Sequence, residues 1–269
     1  CLLSRGLGDV YKRQEKITSK NNTIIKDTKK LFTSSKARAE EKRFVLEGAR
    51  LCFDVLNSVY EPENVFYTEN IIKKYPSETN ALITRCGGSY MITEEIAEKL
   101  SDTKSPQGIF LTVKMKNGEN KIKNKAIALD NVQDPSNVGA IIRSAEALGI
   151  DSVIVYSGCD VYNPKAIRAS MGSVLRMNTI KTDNLTQLIK ELSSDGFATY
   201  ATVPDSRATK ITDIDFSGKT LCVIGNEANG VEDGIKAVCD SLITIPMLGR
   251  AESLNASVAA SITMWEMLR

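Results

Sequence analysis

The sequence predicts an α/β protein in two parts: a small mixed unit, then a parallel sheet covered by helices. Beyond residue 125, short apolar runs alternate with helical stretches, the pattern of strands buried on both faces. Ahead of them "KNGENKIKNK" (116–125) is polar, lysine-rich and interrupted by Gly118, and reads as a linker between domains at 15–115 and 126–269. The opening "CLLSRGLGDVYKRQ" (1–14) has too short an apolar run for a signal peptide and no initiator Met. It is read as a non-native leader and set aside.

Each element has a local reason. Ile24, Ile25, Thr28, Leu31 and Phe32 share one helical face. "RFVLEG" (43–48) reads as a strand, "ARLCFDVLNSV" (49–59) as a helix, "NVFYT" (64–68) and "ALITRC" (81–86) as strands. Thr93 caps a helix with acids in its first turn, and "GIFLTVKM" (108–115) closes the unit as a strand. In the second part "AIALDNV" (126–132), "SVIVYSG" (152–158), "FATYATV" (197–203), "TLCVIGN" (220–226) and "SLITIPM" (241–247) read as strands. Helices are expected over "NVGAIIRSAEALG" (137–149), "NPKAIRASMGSVL" (163–175), "NLTQLIKELSSDG" (184–196), "VEDGIKAVCD" (231–240) and from about Ser253.

Composition narrows the chemistry. The chain has 269 residues, no histidine and six cysteines without a CxxC pair, which argues against zinc or any other metal site. Without histidine, Ser-His-Asp and Cys-His mechanisms are excluded. Scattered cysteines fit reduced thiols in a cytoplasmic protein. No apolar run approaches the ~20 residues of a membrane helix. Net charge is only +2, yet residues 16–43 hold nine Lys/Arg against three acids, while 124–269 carry 13 basic and 17 acidic residues. The basic stretch, with Lys36, Arg38 and Arg43, reads as a polyanion footprint or as a solvated helical face.

Ligands of such sheets sit beyond the carboxyl ends of the strands. That points to three turns. In "LDNVQDPSNVGAIIRS", Asp134 and Pro135 start a helix, and Arg143 falls four residues after Gly139, where the missing side chain leaves the guanidinium room near the helix start. The bland alternative is a surface pair with Glu146. "GNEANG" (225–230) has P-loop glycine spacing but Val231 where the lysine should be, and is not GxGxxG. It leaves one carboxylate, Glu227, on a glycine-flanked loop that could equally be a plain turn. In "IPMLGRAESLNASVAASI" (245–262), Ser253 reads as the helix cap and Asn255 as a first-turn residue; with no histidine to activate it, Ser253 is no nucleophile.

Taken in order, "DNVQDPSNVGAIIRSAEALGI", "VIGNEANGVED" and "IPMLGRAESLNASVAASI" resemble the three motifs of the SpoU (TrmH-like) RNA methyltransferases of the SPOUT class. "RFVLEGARL" and "TKSPQGIFLTV" resemble that family's N-terminal substrate-binding domain. The resemblance implies a C-terminal trefoil knot, S-adenosylmethionine as cofactor, methyl transfer to a ribose 2′-hydroxyl of structured RNA, ribosomal RNA ahead of tRNA, and a homodimer. Carried over by motif, Asn137, Arg143, Glu227, Ser253 and Asn255 form the catalytic set. Gly225, Ile245, Met247 and Leu254 touch the cofactor, with Thr202 beside them. Arg168, in "RASMGS", meets RNA or the partner subunit. The resemblance casts Arg143 as a general base; because a guanidinium stays protonated at neutral pH, the preferred version has it stabilise the alkoxide while a substrate phosphate helps accept the proton. The competing reading is a non-catalytic RNA-binding protein or ribosome assembly factor that keeps the fold, which cofactor binding would distinguish.

Overall fold

The structure, a computed structural model, describes residues 14–116 and 121–269. Most of the leader expected at 1–14 lies outside the described residues, as does part of the expected linker. Two compact units divide the chain, the first running to Lys116 and taking in Tyr162–Pro164.

The first unit contains β1 (Gln14–Ile17), α1 (Thr23–Thr33), α2 (Ser35–Glu41), β2 (Arg43–Glu47), α3 (Ala49–Asp54), β3 (Pro62–Tyr67), α4 (Glu69–Lys74), α5 (Pro76–Arg85), β4 (Gly88–Ile92), α6 (Glu94–Leu100) and β5 (Ile109–Lys114). Its sheet has the order β1-β4-β3-β5-β2, with β5 antiparallel to both neighbours. Asn22 caps α1, its side chain accepting from the Ile24 N–H at 2.8 Å. The buried face of α1, Ile25, Leu31 and Phe32, joins Val45, Phe66 and Phe110 in the core. Ser34 ends α1 and caps α2, accepting from the Ala37 N–H at 3.1 Å.

The second unit contains β6 (Lys125–Asp130), α7 (Pro135–Leu148), β7 (Ser152–Tyr156), α8 (Pro164–Ala169), β8 (Asn178–Thr182), α9 (Leu185–Ser194), β9 (Ala198–Thr202), β10 (Thr209–Lys210), β11 (Thr220–Ile224), α10 (Asp233–Lys236), β12 (Ser241–Thr244) and α11 (Ala256–Leu268). Its seven strands run β10-β12-β9-β11-β6-β7-β8, all parallel. β6 and β11 lie adjacent near the centre, and both are almost wholly buried, as strands covered on both faces must be. The helix α11 packs on α7, where small residues allow the Ser261 hydroxyl to meet that of Ser144 at 3.0 Å.

Several expectations are corrected. "ALITRC" belongs to the helix α5, not a strand: Pro76 opens it, and Thr79, Leu82 and Ile83 form its buried face. A three-residue apolar run fits either period, and the proline upstream decides. The helix expected over 231–240 is the single turn α10. The one expected over 163–175 stops at Ala169, because Met171 and Gly172 adopt positive φ (51° and 92°). Strand β8 escaped the reading because "NTIKT" is a mostly polar edge strand. The last helix starts at Ala256 with Asn255 as its cap, not Ser253.

The basic stretch is not a free arm. Its strand and two helices supply Ile17, Ile25, Leu31 and Phe32 to the core, so truncation would remove part of the fold. Arg38 is only 2% exposed and donates from Nη1 to the Leu31 carbonyl at 2.7 Å, which takes it out of reach of RNA. Lys36 pairs with Glu40 and Arg43 with Glu63. Replacing Arg38 with Ala leaves the last carbonyls of α1 buried and unsatisfied. The expected loss is about 2–3 kcal/mol, read as a lower melting temperature of the first unit in scanning calorimetry. Unchanged melting would contradict the structural role.

Candidate functional site

The three turns beyond β6, β11 and β12 are tied by one chain of hydrogen bonds. Between β6 and α7, Asn131 takes a positive φ of 55° and Asp134 caps the helix, accepting from the Ser136 N–H at 2.8 Å. Asn137 then falls in the first turn of α7 and is buried. Its Nδ2 donates to Glu227 Oε1 at 2.9 Å. Its Oδ1 accepts from Asn255 Nδ2 at 3.0 Å. Asn255 in turn caps α11, its Oδ1 accepting from the Ser257 N–H at 3.0 Å and the Val258 N–H at 3.4 Å.

This network has one orientation. Asn255 must turn its carbonyl to the helix, so its amide hydrogens face Asn137. Asn137 must turn its hydrogens to the carboxylate. Glu227 also accepts from the backbone N–H groups of Gln133 and Asp134, at 3.3 and 3.4 Å. Burial pushes this carboxyl up, but the Asn137 amide and the backbone donors outweigh it and hold it below its ordinary range.

The loop carrying Glu227 closes on itself. Asn226 and Gly230 form a bridge, and a side chain on Gly225 would strike the backbone of Gly230 and Val231. Asn226 was not singled out in the sequence, yet its Nδ2 donates to the Asn131 carbonyl at 2.8 Å and its Oδ1 accepts from Ala228 at 2.9 Å. An Asn flanked by Gly in a turn was the available signal. Asp130, another omission, is fully buried and accepts from the Glu232 N–H at 2.7 Å. An acid closing the apolar run "IALD" could have marked it.

A cavity of about 520 Å³ opens between the loops that follow β9, β11 and β12. Thr202, Gly225, Ile245, Met247 and Leu254 all line it, as do Glu227 and Ser253. Thr202 is held by its hydroxyl, which donates to the Val223 carbonyl at 2.9 Å. The N–H groups of Met247 and Leu254 have no hydrogen-bond partner among the described residues and are free for a ligand. Ser253 is exposed and makes no hydrogen bond among the described residues.

Arg143 stands apart from the network. It is exposed on α7 and has no hydrogen-bond or ion-pair partner among the described residues. The expected pair with Glu146 is absent, because Glu146 accepts from Arg176 Nε at 3.0 Å and Ser173 Oγ at 3.1 Å. The space at Gly139 is not left for the guanidinium: the Ala166 carbonyl, the Ala169 Cβ and the Ser170 N fill it. Gly139 therefore lets residues 166–170, including half-buried Arg168, close on α7. Among the described residues no group of His, Cys, Asp and Glu could hold a metal ion.

Residues 124–265 match the SpoU rRNA Methylase family, and residues 22–111 match the MRM3-like substrate binding domain. The chain belongs to the SpoU rRNA methylase family. It is 31% identical over 254 residues to the 23S rRNA (guanosine(2553)-2′-O)-methyltransferase RlmP of Bacillus subtilis, covering 94% of this chain and 99% of that protein. The crystal structure of an AdoMet-bound rRNA methyltransferase from Sinorhizobium meliloti superposes with a TM-score of 0.84 at 27% identity, covering 95% of this chain and 97% of that one. The SpoU methyltransferase AviRb from Streptomyces viridochromogenes shares the fold, with a TM-score of 0.83 at 24% identity over 92% of this chain and 97% of that one.

The depressed Glu227 carboxyl has a pH signature in this SpoU protein. Its contribution to stability is present above the unfolded value near 4.3 and is lost as pH falls through the lower folded value. Melting temperature measured from pH 7 to pH 3 should fall more steeply for the wild type than for Glu227→Gln. Parallel curves would mean that the carboxylate does not bear on stability.

Proposed function

We propose that this protein transfers a methyl group from S-adenosylmethionine to a ribose 2′-hydroxyl of ribosomal RNA. The observation that carries the reading is the cavity lined by the loops after β9, β11 and β12, the last two of which Asn137 ties together through Glu227 and Asn255. Its volume lies within the range of cofactor pockets. Thr202, Gly225, Ile245, Met247 and Leu254 would hold the cofactor, with the free N–H groups of Met247 and Leu254 as donors. The likeness to RlmP over nearly the full length of both chains supports the 2′-hydroxyl and the ribosomal RNA. The proposal includes the trefoil knot in the C-terminal part.

When bound, S-adenosylmethionine supplies an electrophilic methyl group on a sulfonium centre. The chain's task is to present an oxygen in line and to accommodate the charge that develops on it. Arg143, uncommitted to any protein partner, binds the ribose hydroxyl and a neighbouring substrate phosphate through its planar fork. The guanidinium remains protonated and donates to the oxygen as it becomes an alkoxide, while the hydroxyl proton passes to the phosphate. Asn137, Glu227 and Asn255 hold the loops around that encounter, and Ser253 lines the cavity beside them.

The enzyme works as a homodimer in the cytoplasm. Val258, Trp265 and Leu268 are exposed on one face of α11, with Ile262 between them; Trp265 is 60% exposed. An apolar stripe of this kind marks a protein interface. The described cysteines are free, which suits a reducing compartment. No described helix is long and apolar enough to cross a membrane.

Calorimetric titration should find S-adenosylmethionine and S-adenosylhomocysteine binding at one site per chain, with no binding of ATP. Arg143→Lys should leave that affinity unchanged and lower turnover on ribosomal RNA by about 100-fold or more. Absence of cofactor binding, with or without RNA, would overturn the enzyme reading in favour of a non-catalytic RNA-binding protein. Trp265→Glu should halve the mass in light scattering; a monomeric wild type would remove the dimer from the proposal.

A further inference from the structure

Charge in the first unit is unevenly committed. Strands β1, β2, β3 and β4 all end on the edge where β5 begins. Five acids there have partners, three of them ion-paired and two hydrogen-bonded to uncharged groups. Glu47 accepts from the Thr103 hydroxyl at 3.0 Å and from that of Ser101. Glu69 pairs with Lys73 at 2.6 Å, Glu95 with Lys20 at 3.1 Å and Asp102 with Lys29 at 3.6 Å. Glu94 accepts from Asn70 Nδ2 at 2.7 Å. Two cations on the same edge, Arg50 and Lys104, are exposed and have no hydrogen-bond or ion-pair partner among the described residues.

The backbone beneath these two cations is fixed. Gln107 Oε1 accepts from the Ala49 N–H at 2.7 Å, one residue before Arg50. The Thr103 hydroxyl meets Glu47, one residue before Lys104. Gly48 and Gly108, at φ 95° and 73°, let the two segments turn toward each other, and a side chain on Gly108 would strike Thr68. A free cation on a stapled backbone loses less freedom on binding an anion than one on a loose loop.

We propose that Arg50 and Lys104 clamp backbone phosphates of the RNA substrate on this edge. The inference rests on the reading of the protein as an RNA methyltransferase and locates the grip within the first unit. It replaces as residues of the grip Arg38, which is buried, and Lys36 and Arg43, which are paired. Two exposed cations on one edge suit the backbone of an extended polyanion, whereas recruitment to an anionic membrane calls for clusters of roughly 4–8. Arg50 supplies a planar fork and Lys104 a point charge, so the clamp positions RNA without reading its bases.

The test is RNA affinity of the full chain against salt, with unmodified 23S ribosomal RNA transcript as probe. Arg50→Glu/Lys104→Glu should bind at least about tenfold more weakly at 150 mM salt, with a log–log salt slope shallower by about 1.4–1.8. Its melting temperature and S-adenosylmethionine affinity should match the wild type, because neither residue touches the core. The comparison variant Lys74→Glu/Lys116→Glu makes the same charge change elsewhere on the unit and should retain wild-type affinity. Unchanged binding by the first variant, or equal losses by both, would overturn the clamp while leaving the methyltransferase reading standing. A wild type that fails to bind the transcript would overturn both.

Discussion

One side-chain amide sets the geometry on which the second unit's site depends. Asn137 is buried between a carboxylate and a helix cap, and spends its carbonyl on one and its hydrogens on the other. Aspartate there would place two carboxylates face to face. Leucine of similar volume would leave Glu227 and Asn255 without a shared partner. Three loops that follow three different strands are thereby held by a group only a few ångströms across. Two of the loops that line the cavity, after β11 and β12, share this tie, and its donors outweigh burial to hold the Glu227 carboxyl below its ordinary range.

Much of this fold was legible in the sequence, for a physical reason. Strands buried on both faces read as unbroken apolar runs, and "AIALD", "SVIVY" and "TLCVI" are such runs. Capped helices announce themselves, as at Asp134 and Thr93. Misreadings fell where local pattern carries little: the short apolar run in α5, the polar edge strand β8 and the single turn α10. The convergence of the three turns was legible because parallel sheets collect strand ends on one side. The bonds between them were not, since Asn137 and Asn255 are 118 residues apart and no local rule connects them. Asn255 displaced Ser253 as cap because it alone reaches both Asn137 and the first N–H groups of α11.

Charge was the least legible property. Counting lysines and arginines finds the basic stretch but cannot say which are spent. Arg38 is spent entirely inside the fold, and Lys29 is spent on the carbonyls of Leu100 and Ser101 at 3.1 and 3.2 Å. Arg143 is left uncommitted the opposite way, through Arg176 taking the acid that would have been its neighbour. Glycine 139 was read as room for a guanidinium, and it proved to be room for a carbonyl. In each case the partner lies far away in sequence, so composition gave the inventory and tertiary packing gave the assignments.

The double duty of Asn255 has a thermal consequence. Helix ends open locally at a free energy well below that of global unfolding. Here the first turn of α11 cannot fray without pulling Asn255 from Asn137, and that releases the three loops together. Sheet and core remain intact through such an event. On warming, the site would therefore come apart ahead of the scaffold, and the protein would fall silent before it unfolds.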